Sequence, residues 1–368
     1  MKYEKIKLSD LVDTISDTRK IDKDRVVLVN TSDVLSGSVL NHSYTDNSNL
    51  RGQFKKRFKK DDILYSEIRP ANKRFAYVDF EAEDYIASTK LMVLRKKSDK
   101  ITNKFLYYCL TNDLFVKKMQ HLAEARSGTF PQITFDVLKN EVINLPPIEN
   151  QDKITIILDY INNKIELNNQ INNNLYEEAV ALYKDKFKGI NQDKKTIGDY
   201  IVPKRGKNLL TRDAIDGDTP IVAGGIEPSS YHNQFNTKSP VITISASGAN
   251  AGYTNLWSIP VWASDCSYID DSITKNVYFW YIVLKTRQDE IFDAQTGSAQ
   301  PHIYPQHIAE MSICELNINE VEKYNNLVAP LFKMIGENQK ENKKLKDLRD
   351  ALLPKLMNGE INLDNIEI

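Results

Sequence analysis

Apolar positions recur every fourth and then every third residue from Ile154: Ile154, Leu158, Ile161, Ile165, Asn168, Asn172, Leu175, Ala179 and Leu182. This is a seam of heptad type with two asparagines at its middle. Adding 170 to each number gives Tyr324, Val328, Leu331, Ile335, Asn338, Asn342, Leu345, Arg349 and Leu352, in the same phase and without a gap. One amphipathic helix is common; agreement in phase and in both polar interruptions marks two copies of one module. The spacing predicts a long helix from about Glu149 to Phe187, closed by Gly189, and a second from about Asn319 to Met357, closed by Gly359 and disturbed in its last turns by Pro354. Unbroken, the first would reach roughly 55 to 60 Å at 1.5 Å per residue.

Ahead of each seam lies a run of shorter elements. In the first module, strand-type segments are expected at Arg25 to Val29, Asp62 to Tyr65, Phe75 to Val78 and Lys90 to Leu94, separated by Gly, Asn and Asp. A helix from Asn103 to about Ala125 follows, with Phe105, Tyr108, Cys109, Phe115, Met119 and Leu122 on its buried face. The loop Arg126-Ser-Gly-Thr-Phe-Pro-Gln-Ile133 then leads, through the apolar stretch Val142 to Ile148, into the first long helix. The second module opens at Lys194 to Ile201 and repeats the order, with strands at Thr219 to Val222, Pro240 to Ile244 and Pro260 to Ala263, and a helix holding Tyr278-Phe-Trp-Tyr281. Its loop Gln295 to Ile303 answers the loop of the first copy, with Pro301 and Ile303 lying 170 residues after Pro131 and Ile133. The modules diverge most at residues 30 to 75 against 205 to 255, where each copy would differ in what it binds. The expected fold is α+β: two similar domains of mixed α/β character with irregular sheet, joined by two long antiparallel coiled-coil helices in a pseudo-twofold arrangement. The domain limits are 1–147, a central helix over 148–189, a second domain over 190–317, a C-terminal helix over 318–358 and a tail over 359–368.

Composition narrows the class. The 368 residues allow two domains, and 41% hydrophobic with 27% charged residues describes an ordinary soluble chain. Met1 to Lys5 lacks a signal-peptide core and no run suits a membrane span, so a cytoplasmic location is expected. The three cysteines, Cys109, Cys266 and Cys314, are widely separated, which fits a reducing compartment rather than a disulfide framework. The five histidines (His42, His121, His232, His302 and His307) show no zinc-type spacing, so no metal is expected. A net charge of −1 excludes a globally basic nucleic-acid coat protein, so any polyanion must be held by local patches.

The basic segment Arg51-Gly-Gln-Phe-Lys-Lys-Arg-Phe-Lys-Lys60 places six cations and two aromatics in ten residues. Phosphate contacts need such cations, and the aromatics could pack beneath them or against a sugar or base; the alternative is a solvated strand rim. From it Lys55, Lys56, Arg57, Lys59 and Lys60 are candidate DNA contacts. Ser66-Glu-Ile-Arg-Pro-Ala-Asn-Lys-Arg74 and its counterpart Ser245-Ala-Ser-Gly-Ala-Asn-Ala-Gly252 are strand-to-loop segments that could equally be plain hairpin turns. Arg pairs with guanine, Asn with adenine and Ser with phosphate, so Arg69, Asn72, Lys73, Arg74, Ser247 and Asn250 join the candidates, and Gly248 and Gly252 allow close backbone approach. Arg126, Ser127, Thr129, Lys204, Arg205, Lys207, Tyr253, Ser298, Gln300 and His302 complete the set. Asp62 with Glu67 and Arg69 is a weak nuclease-like grouping without the usual lysine, and Asn144-Leu-Pro-Pro-Ile148 departs from a methyltransferase loop at Leu145 and Ile148. No phosphate-binding glycine loop or nucleophile constellation stands out, so no catalysis is expected of this chain.

Asn168 and Asn172 bracket the midpoint of their seam, as Asn338 and Asn342 bracket that of theirs. Antiparallel packing would set Asn168 against Asn342 and Asn172 against Asn338, fixing the helix register, because a mispaired buried amide costs about 1 to 3 kcal/mol. The bland alternative is four asparagines on solvated flanks.

Three local motifs run through this layout: Leu145-Pro-Pro-Ile-Glu-Asn-Gln151 into the first helix, Gly297-Ser-Ala-Gln-Pro-His-Ile303 ahead of the second, and Ala351-Leu-Leu-Pro-Lys-Leu-Met-Asn-Gly-Glu-Ile361 at the end. With the two-copy order they resemble the specificity subunit of a Type I restriction-modification system. The departures are Leu316-Asn-Ile-Asn-Glu320, which lacks the Pro-Pro of the first copy, and Phe130 before Pro131 where Gln300 precedes Pro301. The resemblance implies a non-catalytic subunit with two target-recognition domains, each reading half of a bipartite asymmetric double-stranded DNA site, and paired helices as spacer. Modification subunits, expected as two copies, would bind the scaffold and methylate adenine N6 with S-adenosylmethionine. Restriction subunits would add translocation and cleavage driven by ATP and Mg. The alternatives are a scaffold whose domains bind protein, a specificity module of another methyltransferase class, and a stand-alone nuclease or methyltransferase.

Overall fold

The computed structural model describes residues 3–48, 50, 52–188, 195–297, 300–361 and 363. Arg51, Gly189, Lys194, Ser298 and most of the 359–368 tail lie outside the described residues. The chain forms two compact units, Met1–Lys164 with Lys344–Ile368, and Ile165–Lys343. Each is α+β and each includes a segment of both long helices, Ile148–Lys186 and Ile318–Asn358. Among the described residues no helix is long and apolar enough to cross a membrane.

In the first unit, Glu4–Lys7 pairs antiparallel with Val142–Leu145, which sets Ile6 opposite Ile143 and closes the domain before the long helix starts. One sheet orders Val12–Ile15, Leu91–Lys96, Ile63–Ser66 and Phe75–Tyr77, all antiparallel. Its central strands are buried on both faces, because alternate side chains enter two cores. Ile63, Tyr65, Met92 and Leu94 join the main core with Phe105, Leu110, Met119, Ile154, Leu158, Leu353 and Leu356. Leu64, Leu91 and Val93 enter a second core with Val27, Val29 and Phe58. That core is backed by a sheet in the order Tyr44–Asp46, Arg25–Val29, Tyr85–Ser88 and Phe54–Arg57, in which Arg25–Val29 and Tyr85–Ser88 are parallel.

The expected single helix from Asn103 is two, Asn103–Thr111 and Asp113–Arg126. Asn112 makes the break: its Oδ1 accepts from Phe115 N at 2.8 Å, capping the second helix, while its Nδ2 donates to Cys109 O at 2.7 Å at the end of the first. A second amide fixes the approach to the long helix. Gln151, fully buried, donates to Lys100 O and Pro146 O at 2.7 and 2.9 Å and accepts from Thr102 N at 2.9 Å.

The second unit repeats the plan. Lys195–Thr196 pairs with Ser312–Ile313, and the sheet orders Lys204–Arg205, Cys266–Asp270, Val241–Ser245 and Thr254–Trp257. A smaller sheet orders Ser230–His232, Thr219–Val222 and Trp262–Ala263. Ile242 and Ile244 pack with Phe279, Ile282, Ile303, Tyr324 and Val328, the last two from the second long helix. Asn325 of that helix accepts from Tyr278 N and Phe279 N at 3.1 and 3.2 Å, capping the helix Val277–Thr286.

Inside the second unit the long helices run antiparallel: Asn168 Nδ2 donates to Asn342 Oδ1 at 2.9 Å, Asn338 Nδ2 to Asn172 Oδ1 at 2.8 Å, and Tyr324 Oη to Ala179 O at 2.8 Å. Asn168 and Asn342 are buried rather than on solvated flanks, and Asn172 and Asn338 are half-buried. In the first unit Arg349, at a seam position, donates to Asn162 Oδ1 at 3.1 Å. The second helix continues through Pro354 to Asn358, contrary to the expected disturbance. Leu353 and Leu356 are anchored in the first unit's core and Tyr3 Oη donates to Leu356 O at 2.7 Å, which offsets the one backbone hydrogen bond a proline removes. Gly359, with φ 75°, follows the last turn.

Candidate nucleic-acid interface

Each unit builds the same surface feature from a hairpin and a distant loop. In the first, the strand Ile63–Ser66 leads into a single 3-10 turn, Pro70–Asn72, and out along Phe75–Tyr77. The loop before Ile133 is laced to this turn: Ile133 N donates to Glu67 O at 2.8 Å, Arg69 N to Pro131 O at 3.1 Å, and Ile68 bridges Gln132. In the second, Val241–Ser245 leads into the turn Gly248–Asn250 and out along Thr254–Trp257. Here Ile303 N donates to Ala246 O at 3.0 Å, Gly248 N to Pro301 O at 3.1 Å, and Ser247 bridges His302.

On the first unit's feature, Arg69, Asn72, Arg126, Ser127 and Thr129 are exposed. Ser127 Oγ accepts from Phe130 N at 3.2 Å. Lys73 Nζ donates to Asp113 Oδ1 at 2.7 Å, and Arg74 reaches back to Ser32 O at 2.8 Å, so both cations are partly spent on the fold. Gln120, which no sequence signal singled out, accepts from Ala71 N at 3.0 Å and pins the turn to the helix Asp113–Arg126.

The basic segment is an edge strand, Phe54–Arg57, with its continuation. Lys55, Lys59 and Lys60 are exposed, Lys60 lying 3.6 Å from Glu81, and Arg57 is half-buried with a backbone bridge to Asp17. Lys56, one of the candidate contacts, does not present its ammonium outward. Its Nζ turns inward to donate to Thr89 O and Leu91 O at 2.9 and 2.8 Å, and burial lowers its pKa. The aromatics also face inward: Phe58 lies in the second core and Phe54 packs with Ile21, Val26 and Ile86, so neither is placed to stack on a base. Asp62, the centre of the nuclease-like grouping, is fully buried and held by Arg95 through two hydrogen bonds of 2.6 Å, with Lys59 N donating at 2.9 Å. Among the described residues no group of three or more His, Cys, Asp or Glu side chains is arranged to hold a metal ion.

On the second unit's feature, Lys204, Lys207 and Gln300 are exposed and Asn250 and His302 half-buried. Asp265, again without a sequence signal, accepts from both Arg205 and Ser247, so these two candidates share one carboxylate instead of standing free. Tyr253 lies beneath the Lys285 ammonium, 4.3 Å from ring centroid to Nζ, and Lys285 Nζ donates to Thr254 O at 3.0 Å. His302 stacks on Tyr304 at 6.0 Å and exchanges backbone hydrogen bonds with Thr296.

Residues 1–177 match the family described as Type I restriction modification DNA specificity domain. The Type I restriction enzyme HindI specificity subunit of Haemophilus influenzae is 39% identical over 198 residues, 53% of this chain and 43% of that subunit, so the match spans less than half of that relative's length. The Type I restriction enzyme MjaIX specificity subunit of Methanocaldococcus jannaschii is 27% identical over 312 residues, covering 73% of this chain and 71% of that one. The crystal structure of the Type I restriction-modification system S subunit from M. genitalium shares the fold, with a TM-score of 0.57 at 18% identity over 97% of this chain and 96% of that one. The similarity to Type I restriction-modification specificity subunits is thus carried by the family match over residues 1–177 and by partial matches to whole subunits.

Proposed function

We propose that this chain is the DNA-reading subunit of a Type I restriction-modification complex. Each unit contacts one half of a bipartite asymmetric site, and the paired long helices set the spacing and carry two modification subunits. The observation that carries this reading is the hairpin-and-loop feature built twice with the same backbone hydrogen bonds but different exposed side chains. A common frame with different faces suits recognition of two different half-sites. Exposed Lys55, Lys59, Lys204 and Lys207 suit phosphate contacts that position each unit, while Arg69, Asn72, Asn250 and Gln300 suit base edges. The chain itself performs no chemistry: methylation comes from modification partners using S-adenosylmethionine, and translocation and cleavage from a restriction partner using ATP and Mg. The complex works in the cytoplasm, on the DNA held there.

The test is coexpression with a modification subunit. The two should copurify and methylate one bipartite sequence, with DNA affinity falling steeply as salt rises. A folded chain that copurifies yet gives no sequence-specific methylation or DNA binding would instead favour a protein-binding scaffold.

A further inference from the structure

Arg69 and Lys73 hold left-handed backbone, with φ 43° and 52°, and Gly248 and Gly252 hold it 179 residues later, with φ 79° and 85°. The same hydrogen bonds frame both pairs. Arg69 N and Gly248 N donate to Pro131 O and Pro301 O, and Asn72 N and Ala251 N close the turn onto Arg69 O and Gly248 O. The frame therefore demands left-handed backbone at two places. The second unit fills both with the residue that adopts it without steric penalty, and the first fills them with Arg and Lys, whose Cβ atoms crowd the backbone there.

Lys73 has a structural reason for its position, because its ammonium ties the turn to Asp113 at 2.7 Å. Arg69 has none: it is exposed, and no hydrogen bond or ion pair of its guanidinium is found among the described residues. Nor does space separate the two units, since a Cβ on Gly248 would meet nothing within 4 Å. A charged side chain kept on disfavoured backbone without an internal partner points to a partner outside the chain.

Resting on the DNA-reading role above, we infer that Arg69 is a specificity-determining residue of the first unit, donating two hydrogen bonds to O6 and N7 of a guanine in the first half-site. The tip that presents it is rigid. Pro70 fixes the next φ, Ala71 N is held by Gln120 at 3.0 Å, and Lys73 N closes on Pro70 O at 2.9 Å. Rigidity matters for a planar two-pronged contact, whereas a phosphate tolerates a mobile charge. The second unit offers the backbone of Gly248 at this place, so the two half-sites are read by different chemistry.

The test uses the chain assembled with its modification subunits, challenged with DNA randomised across both half-sites and read out by the sequences methylated. Arg69→Gly keeps the left-handed turn without strain and should melt no lower than Arg69→Ala. Arg69→Lys keeps the charge without the fork and serves if the glycine variant folds poorly. Both Arg69→Gly and Arg69→Lys should lose preference for one guanine in one half-site by roughly ten- to a hundredfold, with the other half-site unchanged. Retention of every base preference by Arg69→Gly, or of the guanine preference by Arg69→Lys, would overturn the assignment. A wild-type complex that methylates without sequence preference would remove the DNA-reading role itself, a result separable from either.

Discussion

Asn168 Nδ2 donates a 2.9 Å hydrogen bond to Asn342 Oδ1, with Asn168 1% and Asn342 6% exposed. Asn168 also donates to Glu341 at 2.7 Å, and Asn342 Nδ2 to Asn169 Oδ1 at 2.9 Å, so the buried amides are satisfied as a group. Replacing Asn342 alone by Leu should leave one of the buried Asn168 N–H groups without its acceptor and cost about 1 to 3 kcal/mol, while the double replacement Asn168→Leu with Asn342→Leu should recover much of that. Chemical denaturation of the wild type, both single variants and the double variant gives the coupling. Strictly additive losses would mean that the pair is not an interacting unit.

Gln151 makes three hydrogen bonds while fully buried. Gln151→Ala strands Thr102 N, Lys100 O and Pro146 O, and should destabilise by about 3 kcal/mol, lowering Tm by roughly 6 to 12 °C. Calorimetry checks this, and a shift below about 2 °C would show that water replaces the amide.

Lys55 and Lys56 are chain neighbours with opposite commitments, the first exposed and the second donating to two carbonyls. Lys55→Ala should reduce the slope of log affinity against log salt by about 1 and leave Tm unchanged. Lys56→Ala should lower Tm and leave the slope alone. Titrations of the assembled complex at several salt concentrations separate the two, and the reverse pattern would mean that the strand presents its other face.

Burial pushes the Cys266 thiol up to about 12 and holds the Cys109 thiol well above its usual range, so neither forms appreciable thiolate at pH 8. Native protein treated with a thiol reagent at pH 8 should take up no more than one label per chain, at the half-exposed Cys314, and denatured protein three. Rapid native labelling of Cys109 or Cys266, mapped by mass spectrometry, would reveal opening of either core.

The long helices were legible because their signal is local. Ile154, Leu158 and Ile161 are spaced for one helical face, and that spacing, with Pro146 and Pro147 before it and Gly189 after it, located Ile148–Lys186 to within a residue at each end. Strands with continuous apolar runs, such as Arg25–Val29 and Thr219–Val222, were legible for the same reason. Glu4–Lys7 was not: it is polar except for Ile6 and is a strand because Val142–Leu145, far along the chain, supplies its hydrogen bonds.

By itself the sequence determined the repeated order, the phase of the two seams and the antiparallel match of their asparagines, because helical periodicity and the 170-residue repeat are written in neighbouring positions. Only the tertiary structure decided which cations are available. Lys56 is withdrawn by the carbonyls of Thr89 and Leu91, Lys73 by Asp113, and Arg205 by Asp265, while the Arg69 guanidinium, on left-handed backbone, has no partner among the described residues. The reason is range: a hydrogen-bond partner dozens of residues away leaves no periodicity beside the side chain it captures. The left-handed backbone at Arg69 likewise goes with a long-range hydrogen bond, from its N–H to the carbonyl of Pro131, and it surfaces only when the two units are compared through their hydrogen bonds.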